Sequence, residues 1–177
     1  MIKQIRCFSI TFFLISIILV STHCSGPETD LERMEQLAES VTIYRDTWGV
    51  PHVYGPTDES VVFGTAYARA EDRFSTMERI YIMASGRSAE LSGEGGLYTD
   101  IIARAFRVEE MTEREYQSAS PELKKLCRAF ADGLNYYLHC NPDVQPAVID
   151  WFEPWHPLAG LRAVQLAQVF RLGLAPD

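Results

Sequence analysis

The chain has 177 residues and a mass of 20.0 kDa, the size of one domain or of a part of a larger one. With 47% hydrophobic and 23% charged residues, its composition is that of a folded protein and argues against intrinsic disorder. The formal charge of −8 makes nucleic-acid binding a poor hypothesis, because such binding depends on cationic side chains that neutralise phosphates.

The first 23 residues have the pattern of an export signal. Lys3 and Arg6 precede an almost uninterrupted apolar run over residues 8–20, which is short for a membrane span. Small and polar residues then surround Cys24. Two alternatives remain open: cleavage by an ordinary signal peptidase near this point, or attachment of a lipid to Cys24, as in bacterial lipoproteins. Either alternative exports the mature chain, to the periplasm or to a membrane through a lipid anchor.

Beyond this leader, the sequence divides into a tether and a domain. Residues 24–40 are polar and acidic, and we interpret them as a tether or a loose first helix. The domain is predicted over residues 41–177. Alternating side chains within 41–54 predict two strands of a hairpin, joined at residues 46–49 by a turn with Asp first and Gly fourth. Pro51 cannot donate a ladder hydrogen bond, so its strand is expected at a sheet edge.

Helical periodicity dominates the rest of the domain. Residues 57–84 place their apolar side chains on one broad stripe, and residues 120–122 (Ser-Pro-Glu) form a strong helix start. A last helix is predicted over 158–172, whereas the glycine-rich segment 93–96 is expected to be flexible. The predicted fold class is therefore α+β, mainly helical with a small N-terminal β-hairpin.

Cys127 and Cys140 are the cysteines of the predicted domain. They lie 13 residues apart on or beside one predicted helix. An unbroken helix would separate them by about 20 Å, whereas a disulfide needs Cα atoms within about 7 Å. We therefore predict no bridge between them.

Local motifs alone give little chemistry. His52, His139 and His156 have no metal-ligand spacing with another histidine, cysteine or acid. Residues 71–73 (Glu-Asp-Arg) lie inside the long predicted helix, and we interpret them as a salt-bridged structural unit in preference to a catalytic one. Trp155 belongs to an aromatic, proline-rich loop that more often pins itself to a core than grips a ligand.

Six short blocks of the sequence nevertheless follow one another in a distinctive order. They are Arg45-Asp46-x-x-Gly49-Val50-Pro51-His52-Val53, Phe63-Gly64-x-Ala66-Tyr67-Ala68-x-Ala70-x-Asp72-Arg73 with Met77-Glu78-Arg79, Gly86-Arg87-x-Ala89-Glu90-Leu91-x-Gly93, Asp100 with Arg104, Phe130-Ala131-Asp132-Gly133-Leu134-Asn135, and Glu153-Pro154-Trp155-x-Pro157-Leu158. In this order they resemble the penicillin acylase family of N-terminal nucleophile hydrolases, over about residues 41–171. Thr76 and Ala159 depart from the family pattern, where Gln and Asp are usual, and this puts fine specificity in doubt.

The resemblance implies an amide hydrolase that is made as one precursor and cuts itself into two chains. The new N-terminal Ser of the larger chain would be the nucleophile, with its own α-amino group as base. This chain resembles only part of the smaller, non-nucleophilic chain, so we expect it to be an N-terminal fragment that is inactive alone. Its fold would be part of an αββα sandwich, and its partner would be the remainder of the precursor.

The resemblance also suggests roles for individual residues. Arg171 matches a pocket-side arginine near the acyl group, and a solvated helix residue is the equal alternative. Gln168 and Leu172 replace the Met and Phe expected beside it. The full-length protein could hold a structural calcium, but the matching carboxylate falls just beyond Asp177. The sequence therefore provides no catalytic residue, metal ligand or cofactor site within this chain.

Two hypotheses for function follow. The first is an amide hydrolase acting on small N-acyl compounds such as β-lactams or acyl-homoserine lactones. The second is an exported, lipid-anchored binding module without catalysis. Because two strands alone seldom form a stable sheet, the chain by itself is expected to expose apolar faces on its hairpin and helices.

Overall fold

The computed structural model describes residues 2–4 and 29–170. In these residues the elements are, in chain order, β1 (Ile2–Gln4), α1 (Asp30–Ser40), β2 (Thr42–Arg45), β3 (Pro51–Tyr54), α2 (Asp58–Ala84), α3 (Ser88–Ser92), a 3₁₀ helix (Gly93–Gly96), α4 (Leu97–Ala105), α5 (Val108–Ser118), α6 (Pro121–Cys140) and α7 (His156–Phe170). The predicted α+β class, mainly helical with a small hairpin, is confirmed. None of the helices within the described ranges is long and apolar enough to cross a bilayer.

Several sequence predictions concern residues outside the described ranges. They are the export signal over residues 1–23, apart from residues 2–4, the lipid attachment at Cys24, and the substrate-binding role of Arg171. These three stay predictions.

The hairpin forms where the alternating pattern predicted it. β2 pairs antiparallel with β3, from Thr42 opposite Tyr54 to Arg45 opposite Pro51, and β1 pairs with the other edge of β2. β3 is thus an edge strand of the described sheet, as Pro51 indicated. The Asp46 carboxylate closes the turn by accepting hydrogen bonds from the backbone of two following residues, at 2.9 Å each.

The acidic segment before the hairpin contains a helix that packs on the core. Thr29 and Glu32 form a reciprocal capping box at the start of α1, with bonds of 2.9 and 3.2 Å. Met34 and Ala38 are buried on one side of the helix. Of the two alternatives left open for residues 24–40, the helix therefore describes residues 30–40.

The core lies between α2 and α6, the two longest helices of the described chain, with the hairpin packed on α2. Glycines allow both close approaches. A Cβ on Gly133 would lie 2.4 Å from the backbone oxygen of Phe63, and one on Gly64 would lie 2.5 Å from Cγ1 of Val41. Aromatic side chains fill the space between the helices, including Phe74 stacked on Tyr137 at 5.7 Å between ring centroids.

Local backbone geometry departs from the predictions at two places. α2 is kinked at Arg73, whose φ of −156° and ψ of 66° are not helical, so residues 71–73 do not lie within a continuous helix as expected. The segment Gly93–Gly96, expected to be flexible, forms a 3₁₀ helix, and Gly96 packs so closely that a Cβ there would lie 2.4 Å from the backbone of Ser88. The local sequence pattern indicates neither the kink at Arg73 nor the close packing of Gly96.

The cysteines of α6 behave as the helix length predicted. α6 continues to Cys140, and Cys127 is a free, buried thiol. The predicted absence of a bridge between them is therefore confirmed. Burial also raises the pKa of the Cys127 thiol, which lowers its reactivity.

Candidate functional site

Arg45, in the first sequence block, joins the hairpin to α2. Its guanidinium forms ion pairs with Glu71 at 3.2 Å and Asp72 at 2.8 Å, and donates to the backbone oxygens of Gly49 and Ala68 at 3.0 and 3.3 Å. The interpretation of Glu71 and Asp72 as parts of a salt-bridged structural unit is confirmed. This cluster holds the hairpin against α2.

Two buried polar side chains hold the loop that follows α6. The carboxylate of Glu78, only 3% exposed, accepts hydrogen bonds from the backbone N–H groups of Val148 and Ile149 at 2.8 and 3.0 Å. Asn135 donates to the backbone oxygen of Phe152 at 2.9 Å and accepts from its N–H at 2.8 Å. The loop is thereby fixed to α2 and α6, and it delivers the chain to the start of α7.

Two further buried carboxylates, those of Asp100 and Asp132, also hold separate parts of the fold together. Asp100 accepts from the backbone N–H groups of Ser88 and Ala89 at 2.6 and 2.9 Å, at the start of α3. Asp132 receives two hydrogen bonds from Arg33, at 2.8 and 2.9 Å, and these bonds raise the pKa of Arg33. The acidic residues of the sequence blocks thus accept hydrogen bonds from backbone N–H groups or form ion pairs. Their role in these contacts is to stabilise the fold.

Two of the histidines occupy structural positions. His52 is exposed, with Nε2 3.3 Å from the Asp46 carboxylate. His156 begins α7, accepts a hydrogen bond at Nδ1 from the Glu153 N–H at 3.0 Å, and stacks on Tyr81 at 5.8 Å. Burial lowers the pKa of His156 to about 4, so its ring is neutral at pH 7. Within residues 29–170, no group of three or more His, Cys, Asp or Glu side chains is arranged to hold a metal.

A cavity of about 610 Å³ separates α2 from α7. Its wall is apolar and includes Ile80, Tyr81, Phe130, Leu161 and Val164. Its volume lies within the range of small-molecule sites. We call it the α2–α7 cavity.

The mouth of the α2–α7 cavity is charged. Arg69, Asp72, Arg73 and Thr76 line it beside the kink of α2. The charge of Arg69 acts on Tyr81 and partly opposes the effect of burial, which raises the pKa of the Tyr81 phenol. The sequence did not predict a binding site at the α2–α7 cavity. The available signal was a pair of arginines four residues apart on an amphipathic helix, but nothing in the sequence located the kink.

Apolar side chains are exposed on the sheet and on α4, as predicted for this chain alone. Tyr44 and Tyr54 project from the outer face of the hairpin, and Trp48 at its turn is 89% exposed. Leu97 and Ile101 are exposed one turn apart on α4. Large contiguous patches of exposed apolar side chains mark interaction sites.

The chain is similar in sequence to known proteins. A family profile described as penicillin amidase matches residues 40–175. An acyl-homoserine lactone acylase, QuiP, of Pseudomonas aeruginosa is 32% identical over 120 residues, which are 68% of this chain and 14% of that protein. The penicillin acylase 2 proenzyme of Pseudomonas sp. strain SE83 is 29% identical over 139 residues, 73% of this chain and 18% of that protein. The chain thus spans less than a fifth of the length of these relatives.

A solved structure shares the fold. The thermostable penicillin G acylase from Alcaligenes faecalis superposes with a TM-score of 0.64 at 21% identity, over 76% of this chain and 76% of the compared chain. The helices and hairpin described above are therefore arranged as in the matched part of that penicillin G acylase.

Proposed function

Because the chain belongs to the penicillin amidase family, we propose that it is the N-terminal part of an amide hydrolase precursor whose nucleophile lies on a segment absent from this sequence. The observation that carries this proposal is the family match over residues 40–175, which includes all six sequence blocks in order. The chain covers only 14% of one relative and 18% of another, so most of their length has no counterpart here. The word proenzyme in the name of one relative agrees with a processed precursor.

The reaction is acyl transfer in two steps. In the first, the hydroxyl oxygen of an N-terminal Ser bonds to the amide carbonyl carbon, and its proton passes through the α-amino group to the leaving amine as the C–N bond breaks. In the second, water attacks the acyl ester by the same route and releases a carboxylic acid and the free Ser. Backbone and amide donors on the absent segment stabilise the oxyanion of each tetrahedral intermediate.

The substrates are proposed to be small N-acyl compounds. The matched relatives are named for acyl-homoserine lactones and for penicillin, and both substrate types contain the amide that this reaction cleaves. Arg171, which lies outside the described residues, would line the acyl pocket. Because a single methylene changes pocket preference by only about 1–3 kcal/mol, the choice among these substrates depends on side chains of the complete site.

The described residues contribute a scaffold and a partner surface. Glu78 and Asn135 fix the loop that leads to α7. The exposed outer face of the hairpin, with Tyr44 and Tyr54, would be covered by the remainder of the precursor. The chain alone would have no amidase activity.

Export and metal content are further parts of the proposal. The leader would export the chain, with a lipid on Cys24 as membrane anchor. Substitution of Cys24 by Ala should abolish incorporation of labelled lipid, and unchanged labelling would contradict the anchor. No described residue is assigned to calcium, which would belong to the full-length protein, and no step is derived through it.

The decisive experiment is to sequence the gene past the codon for Asp177 and to assay the complete precursor. We expect a long reading frame with a processing-site Ser, cleavage into two chains, and release of acid from penicillin G or N-octanoyl-homoserine lactone. Substitution of that Ser by Ala should abolish both processing and release. A stop codon directly after Asp177, or a precursor without turnover, would contradict the proposal and favour the exported binding module. Turnover by the purified 177-residue chain would contradict the fragment interpretation.

A further inference from the structure

We propose that the α2–α7 cavity binds an amphiphilic carboxylate, with its anionic head at Arg69 and Arg73 and its apolar tail against the wall between the two helices. The volume of the cavity, the positive charge at its mouth and its apolar wall each limit the class of ligand.

The mouth provides two guanidinium groups, those of Arg69 and Arg73. Arg69 and Arg73 form no ion pair within residues 29–170, whereas Arg45, Arg87 and Arg107 each pair with a carboxylate. Both arginines line the same cavity, and two like charges that share a site favour an anion between them. The chain is acidic overall, so two arginines with no ion pair among the described residues are a local exception.

Asp72, the carboxylate among the residues that line the cavity, is engaged by another arginine. Asp72 lines the same cavity, but its Oδ1 lies 2.8 Å from Nη1 of Arg45 on the hairpin side. An external carboxylate can receive hydrogen bonds from a planar guanidinium in the bidentate arrangement that Arg favours.

The wall is suited to an alkyl or aryl tail. Ile80, Phe130, Leu161 and Val164 present hydrocarbon, and the phenol of Tyr81 is buried among them. Gly160 allows α7 to lie against Tyr81, because a Cβ at this position would be 2.9 Å from Cε1 of the ring. Charged groups are confined to the mouth, so the ligand has one charged end and an apolar body. A nucleotide or a polar peptide does not fit this division.

This site does not depend on the hydrolase proposed above. The reaction proposed there would release a carboxylic acid of the same class, but binding to the α2–α7 cavity requires neither the nucleophile nor turnover. Binding to the chain alone therefore tests the site, and turnover by the precursor tests the hydrolase.

The test is calorimetric titration of the purified chain with octanoate, with acetate as a head without a tail and octan-1-ol as a tail without a charge. We expect octanoate to bind with 1:1 stoichiometry and more tightly than either control. Arg69→Gln and Arg73→Gln should each weaken octanoate binding about fivefold, since an exposed charge pair contributes up to about this factor. Thr76→Trp, which places an indole in the mouth, should abolish it. Arg128→Gln is the matched control, because Arg128 is exposed on α6 and lies outside this cavity.

Three results would overturn the site. Octanol that binds as tightly as octanoate would show that the arginines contribute nothing. Unchanged octanoate binding by the double variant Arg69→Gln/Arg73→Gln would place the ligand elsewhere. Loss of octanoate binding in the complete precursor, with binding retained by the chain alone, would assign the cavity to a contact with the rest of the protein.

Discussion

Single carboxylates in this chain act mainly as acceptors for backbone groups far away in sequence. Glu78 binds two N–H groups of a loop 70 and 71 residues later, and Asp100 binds two N–H groups 11 and 12 residues earlier. A buried N–H left without an acceptor costs about 1–3 kcal/mol, so these residues contribute to stability although they are acids in a low-dielectric interior.

Glu78→Ala is expected to lower the free energy of unfolding by about 2–4 kcal/mol, because it leaves the N–H groups of Val148 and Ile149 unpaired. Glu78→Gln, which keeps an acceptor oxygen, should lose clearly less. Urea unfolding followed by circular dichroism measures both. Glu113→Ala, at an exposed position on α5, is the matched control and should be near neutral. Equal losses for Glu78→Ala and Glu113→Ala would contradict the role assigned to the carboxylate.

His156 should make the stability of the chain sensitive to mild acid. Its pKa is lowered to about 4 by burial, and a positive charge at the first residue of α7 is also unfavourable for the helix. The unfolded chain takes up the proton near pH 6.5 and the folded chain only near pH 4. The contribution of the neutral, buried His156 ring to the free energy of unfolding is therefore complete above about pH 6.5. It is lost as the pH falls, by up to about 3 kcal/mol at pH 4.

The check is urea unfolding at pH 7 and pH 4.5 for the chain and for His156→Asn, which keeps an acceptor near the Glu153 N–H but does not titrate. Carboxylates titrate in both proteins, so the difference between the two isolates the histidine. We expect the variant to lose less stability than the parent between the two pH values. The same loss in both would mean that His156 titrates normally.

At the scale of elements, helix packing depends on glycines where two backbones approach closely. Gly133→Ala should destabilise the chain by about 1–3 kcal/mol, because the new Cβ would lie 2.4 Å from the Phe63 backbone oxygen, which cannot move independently of α2. Gly95→Ala is the matched control, since a Cβ there meets nothing within 4 Å. Thermal unfolding of the two variants decides the point, and an unchanged melting temperature for Gly133→Ala would show that α2 and α6 lie further apart.

The elements that could be predicted from sequence are those with local signals. Thr57 and Ser120 accept hydrogen bonds from the backbones of the helices that follow them, and the alternating pattern before Asp46 forms a strand. The kink at Arg73 could not be predicted, because neither Pro nor Gly marks it and packing against other elements decides it. The cavity at the kink could not be predicted for the same reason. The residues that resemble the family could be recognised, but their role as loop acceptors depends on contacts across the fold.

At the scale of the whole molecule, substitutions on the outer face of the hairpin can distinguish an effect on folding from an effect on assembly. Tyr54 is 62% exposed, and opposite it on the same ladder lies Thr42. Tyr54→Lys should therefore leave the melting temperature of the 177-residue chain within experimental error, since the side chain has little buried surface to lose. In the complete precursor the same change would place a charge in the proposed contact with the remainder, and we expect at least a tenfold fall in the yield of active, processed enzyme.

Gln36→Lys, at an exposed position on α1, adds the same charge outside this face and should leave both measurements unchanged. Processing and activity of Tyr54→Lys equal to those of the parent would show that the outer face of the hairpin stays in solvent in the full-length protein. A lower melting temperature for the isolated Tyr54→Lys chain would show instead that the face supports the fold itself. Only unchanged stability together with lost assembly identifies the hairpin as the surface on which the rest of the precursor is built.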